Sequence, residues 1–244
     1  MSSSIANSSL PRCVLPPALL LAAVCLMRPL EMRLSAPVMA SVPQMAALGG
    51  SGGTLAVMGG LRAAVAGGFW LRTNLAWERR DAAATTRLLH LTVAADERPL
   101  YFWLNGARMM AYDLPEWRTE GAPQAVRQRE ADMQARMALD FLATGLKSHA
   151  GAAEIYIEMA NIRLRAQGDR EGAARLFRQA AEQPGSPYYA ARVHAELLRE
   201  LGRPEEALAW LKQILPTLQA DDPAARREVV VERIKGLEQE TAGK

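Results

Sequence analysis

Residues 154–187 read EIYIEMANIRLRAQGDREGAARLFRQAAEQPGSP, and residues 188–221 read YYAARVHAELLRELGRPEEALAWLKQILPTLQAD. Sliding the first onto the second by 34 residues brings Gly168 onto Gly202, Ala173 onto Ala207, Phe177 onto Leu211 and Ala180 onto Ile214. A fixed period of this length marks a helical solenoid, in which each helix pair buries its apolar face against the next. In the first copy Ile157, Ala160 and Leu164 share one helix face, and Gly168-Asp169 supplies a turn. Ala173, Phe177 and Ala180 follow at i, i+4 and i+7. The second copy offers Ala191, His194 and Leu198, then Ala207, Leu211 and Ile214. Small alanines allow two helices to approach closely, and Phe177 fills the gap between them.

Working outward, the helical period continues from about Leu61 to the C-terminus, without the sustained alternation of a strand. Helices are expected over 62–80, 82–95, 99–112, 122–147, 152–167, 170–182, 187–201, 204–218 and 223–240. Asp81 can cap the second and Pro99 can open the third. Residues 113–123 read as a loop inserted before an unusually long second helix. The segment 223–240 places Gly236 a further 34 residues after Gly202 and reads as a capping helix with solvated charges.

At Ile157, Ala160-Asn161, Leu164, Gly168, Ala173, Phe177, Ala180 and Pro184 the chain resembles the tetratricopeptide repeat (TPR) family. The family's first-helix aromatic positions are not aromatic here, and Pro184 comes one residue early. The resemblance covers most of 62–240 and is most specific over 152–218. It implies an all-α, right-handed solenoid of helical hairpins, roughly four pairs and a cap, with a binding role. The layout as a whole resembles membrane-anchored TPR proteins of bacteria.

Charge divides the chain. Residues 1–69 carry Arg12, Arg28, Arg33 and Arg62 against Glu31 alone. The chain has 29 Lys and Arg and 26 Asp and Glu, so the rest holds 25 of each sign and is neutral. A nucleic-acid partner is not expected, because the folded part lacks the basic surplus such binding needs. Both cysteines, Cys13 and Cys25, precede the body, which excludes a disulfide framework or thiolate metal site there.

Residues 1–34 read as a disordered start and an apolar signal or anchor segment. The run Val14 to Met27, between Arg12 and Arg28, spans about 21 Å as a helix, short of the ~30 Å hydrocarbon core. It suits a signal-peptide core or a minimal anchor that tethers the body outside the cytoplasm, in the periplasm. Cleavage near Val38-Met39-Ala40 would release a secreted body instead, and a plain buried or disordered N-terminus is the third reading. Residues 35–61, rich in Gly, Ala and Pro, read as a linker to the domain 62–244; a small-residue membrane segment over 35–68 is the alternative.

No Walker loop, GxSxG, HExxH or strand-borne GxGxxG is present, and no cofactor or metal is expected. His194 occupies a helix-packing slot. His90 and His149, with nearby carboxylates, carry the alternative of an envelope hydrolase. Trp70, Trp77 and Trp103 read as wedges between helices; Trp117, in the insertion, is either tucked under it or offered to a partner. In the TPR family first helices line the inner groove. Carried over, that gives Tyr101, Leu104 and Arg108, then Ile155, Glu158, Ile162 and Arg165, then Tyr189, Arg192, Glu196 and Arg199. Their mixed charges fit a protein or peptide partner of mixed polarity. The expectation is a non-catalytic, membrane-associated scaffold; the last alternative is a structural subunit whose own 113–123 segment fills its groove.

Overall fold

The computed structural model describes residues 52–219 and 221–242. The apolar run 14–27, the cleavage-like 38–40 and both cysteines lie outside them. The chain divides into two compact units, residues 1–59 and 60–244. Among the described residues there is no strand, and those of the second unit form helices joined by turns and short loops. Helix α1 spans Gly52–Glu78, α2 Ala82–Ala95, α3 Leu100–Arg108, α4 Leu114–Arg118 and α5 Gln124–Gly145. They are followed by α6 Ala153–Ala166, α7 Arg170–Ala181, α8 Tyr188–Glu200, α9 Pro204–Ile214 and α10 Arg227–Ala242.

Successive pairing is the rule from α6 onward. Ile157 and Ala160 of α6 form one buried cluster with Ala173, Phe177 and Ala180 of α7 and with Ala190 and Leu197 of α8. The other face of α8, through Ala191, Ala195 and Leu198, joins Ala207 and Leu211 of α9 and Val230, Ile234 and Leu237 of α10. α8 thus belongs to two successive cores, and α6 does the same through Ile155 and Ile162, which join the core of α3 and α5, as a solenoid requires.

Three turns do equivalent work. The Asp169 N–H donates to Arg163 O at 2.9 Å, that of Arg203 to Leu198 O at 2.9 Å, and that of Asp81 to Ala76 O at 3.0 Å. Each turn needs one residue with positive φ: Gly168 at +65°, Gly202 at +75°, and Arg80 at +54°. Asp169 and Asp81 then cap the helices that follow, accepting from the N–H groups of Gly172 and Ala84.

Two expectations are corrected. The linker expected over 35–61 is already helical from Gly52, so α1 begins ten residues early. The insertion 113–123 is not a loop at its start: α3 passes through a π-turn, Met109–Asp113, directly into α4. Met110, Ala111 and Leu114 are buried along this path, and Pro115 sits in the first turn of α4, where its missing N–H costs nothing.

The tryptophans pack between helices. Trp103 stacks obliquely on Phe141 at 4.7 Å, its Nε1 donating to Glu97 O, with Gly145 closing over the ring. Trp70 meets Tyr101 and Phe102. Trp117 packs edge-on against Trp77, whose Nε1 donates to Asp113 at 2.7 Å.

Candidate functional site

One side of the second unit is built from successive first helices, α3, α6, α8 and α10; ion pairs join α3 to α6 and α8 to α10, and between α6 and α8 the field of Glu158 reaches Tyr189. Arg108 of α3 donates through Nε and Nη2 to Glu158 of α6. Glu158 acts electrostatically on Tyr189 of α8, helping burial to raise the Tyr189 phenol pKa. Glu196 of α8 accepts from Arg233 of α10. The Tyr112 phenol lies beside this row under the fields of Glu158, Arg165 and Arg108; burial pushes its pKa up to about 12, and its buried hydroxyl has no hydrogen-bond partner among the described residues.

Between α8 and α10 the row opens into a cleft of about 260 Å³. Its floor is apolar and buried, with Ala195, Leu211 and Val230, and Val193 and the half-exposed Val229 form its walls. Tyr189, Arg192, Glu196 and Arg233 stand at its rim. Arg192 donates to Ala225 O at 2.9 Å and has no carboxylate within ion-pair distance among the described residues. Glu196 is held below the usual carboxylate range chiefly by its hydrogen bond from Arg199, assisted by Arg233. Two arginines therefore share one carboxylate.

Of the groove residues expected from the sequence, Tyr189, Arg192 and Glu196 meet at this cleft, with Arg199 beside it. Arg108 and the exposed Arg165 lie along the same row; Glu158, expected to face the groove, is instead buried beneath Arg108. Tyr101 is exposed on α3 but turns its ring towards Trp70, and Leu104 packs onto the core formed by α3, α5 and α6. Ile155 and Ile162 are corrections: both have 0% exposure and lie in that same core with Trp103 and Phe141. They sit three residues from Glu158 and Arg165, about 60° round the helix, which is enough to place them beneath the neighbouring helices.

Val229 and Arg233 on α10 were missed. The signal was present: adding 34 to Arg165 and Arg199 leads to Arg233, and adding 34 to Ala195 leads to Val229. Reading 223–240 only as a solvated cap hid it.

Of the three histidines, His194 is buried, His149 half-buried and His90 exposed. The His194 Nδ1 lies 2.8 Å from Ala174 O, and its ring is edge-on to Trp210. Since a carbonyl only accepts, Nδ1 carries the proton. His149 Nε2 donates to Glu97 O in a junction where Ser148 bonds the Glu97 carboxylate. His90 lies edge-on to Phe141. None of the three lines the cleft, and neither does any residue of 113–123. Among the described residues no three His, Cys, Asp or Glu side chains gather to hold a metal, and no helix is long and apolar enough to cross a membrane.

No curated protein matches the chain. Residues 164–227, from the last turn of α6 to the start of α10, match the family model described as tetratricopeptide repeat, so this segment, which supplies the α8 and α9 side of the cleft, is tetratricopeptide-like.

Proposed function

We propose that this protein is a scaffold that holds a segment of another protein along its first-helix face, without catalysis of its own, in a membrane-associated assembly. The observation that carries the reading is the row from Arg108 through Glu158 and Tyr189 to the α8–α10 cleft, contributed by four successive first helices. A solenoid presents such a surface continuously, and repeats of this family typically bind proteins. The cleft is smaller than the roughly 300–1,000 Å³ of small-molecule pockets, so it suits an inserted side chain better than an enclosed substrate. Tethering rests on the apolar run 14–27 and would place the body in the periplasm.

A photo-crosslinking residue placed at Arg165 or Val229 of the full chain in its native cell tests this. The expected result is one dominant crosslinked protein from both positions and none from Arg175, on α7. Crosslinks from Arg175 alone would overturn it. Cell fractionation with protease accessibility tests the tether: body cleaved only after the outer barrier is opened is expected, and a body in the cytosolic fraction contradicts it.

A further inference from the structure

The row has a chemical bias. Arg165, Arg199 and Arg233 recur at the 34-residue interval, one on each of α6, α8 and α10, and all three are exposed. Arg192 adds a cation at the rim, and Arg226 is close enough to lower its pKa further, after burial. The carboxylates on this side are largely spoken for. Glu158 is buried against Arg108, and Glu196 serves both Arg199 and Arg233. Glu154 on α6 and Glu228 on α10 remain as opposing charges near Tyr189 and Arg192. Arg165 and Arg192 have no ion-pair partner among the described residues. Since the body from residue 70 on is neutral, a surplus of unmatched arginines here is local rather than general.

Apolar surface lies in the middle of that surplus. Val229 is 40% exposed and Val193 is half-buried, above a floor formed by Leu211 and Val230. A volume of about 260 Å³ takes one or two apolar side chains.

We propose that the α8–α10 cleft seats one apolar side chain of an extended acidic peptide segment, whose flanking carboxylate lies against Arg192. This rests on the reading of the first-helix face as a docking surface. The apolar anchor supplies affinity by leaving water for a desolvated pocket. The arginines supply the sign: an acidic neighbour gains a charge-assisted hydrogen bond to Arg192, and a basic one meets repulsion from Arg192, Arg226 and Arg233.

The test is selection of a random peptide library on the immobilised full chain, followed by affinity measurement of the enriched peptides. The expected pool carries Asp or Glu within two residues of a Leu, Ile, Val, Met or Phe. Val229→Asp, at a site open enough to keep the fold, is expected to weaken binding at least tenfold. Arg192→Glu is expected to weaken it tenfold, and changing the peptide's acidic residue to Lys is expected to restore affinity on that variant. The restoration separates a lost contact from a lost fold. Enrichment of basic or uncharged peptides overturns the inference. So does binding that survives both substitutions; if that binding is lost with Arg165→Glu, the docking face stands and only its proposed ligand class falls. No enrichment at all counts against both.

Discussion

Arg108 on α3 and Glu158 on α6 meet across 50 residues of sequence, with Nε at 2.9 Å and Nη2 at 2.7 Å from a single carboxylate oxygen. The Glu158 side chain is only 4% exposed, whereas that of Arg108 is 52% exposed. The burial of one partner decides the energetics. Arg108→Ala leaves a desolvated carboxylate without its cation, which costs several kcal/mol at a closed site and less where water reaches the vacated arginine position. A loss of about 1–2 kcal/mol is expected in urea unfolding. Arg199→Ala should cost clearly less, because its pair is more exposed and Glu196 keeps Arg233. Equal losses from the two variants would contradict the assignment of Glu158 as the buried member.

Acid should weaken the fold in two steps. Burial pushes the His194 pKa below 6.5, so as the pH falls through about 6.5 the unfolded chain takes up a proton that the folded chain refuses. Stability is then lost progressively on the acid side of neutrality. Glu196, held below 4.5 by Arg199, adds stability that is present above that value and lost as the pH falls through its lower folded pKa. Thermal unfolding at pH 7.5, 5.5 and 4 should show a falling Tm. His194→Gln should lower Tm at pH 7.5 and flatten the slope between 7.5 and 5.5. A slope unchanged by that substitution would remove His194 from the account.

The turn before α2 carries a backbone strain that the glycine turns before α7 and α9 avoid; Arg226, at φ +46°, carries the same strain before α10. Arg80 holds φ +54°, a conformation Gly168 and Gly202 adopt without a Cβ penalty. Its side chain is exposed and makes one ion pair, at 3.5 Å to Glu120. Arg80→Gly should therefore stabilise by ~0.5–1 kcal/mol, whereas Gly202→Ala should destabilise by about 1 kcal/mol. Chemical denaturation midpoints check both signs.

Two helical glycines should respond oppositely to alanine. A Cβ on Gly145 would lie 2.8 Å from the Trp103 ring, inside a packed core with little room to yield. Gly145→Ala should cost about 1–3 kcal/mol as overpacking. Gly236 on α10 has nothing within 4 Å of that position, so Gly236→Ala should gain ~0.5–1 kcal/mol of helix propensity.

Much of this was legible from spacing alone. The alanines at 160, 173, 180 and 207 are fully buried where the interval placed them, and α2 runs over the expected 82–95. The double glycines before residue 61 argued for a linker, because propensity weighs each glycine locally, yet the backbone from Gly52 is helical. The π-turn at Met109–Asp113 has no sequence mark other than the buried spacing of Met110, Ala111 and Leu114 on either side of Asp113. At the site, charge pairing between first helices decided which residues face outward. Ile155 and Ile162 share the i, i+7 interval of Glu158 and Arg165, and only the position of the neighbouring helices distinguishes the two stripes.

The central claim is that the partner docks on the first helices. It is tested most directly by the affinity of the crosslinked partner for two charge reversals of equal size, Arg165→Glu on α6 and Arg175→Glu on α7. The account predicts at least tenfold weaker binding for Arg165→Glu and a change within about twofold for Arg175→Glu. Binding that depends on Arg175 and ignores Arg165 would contradict it.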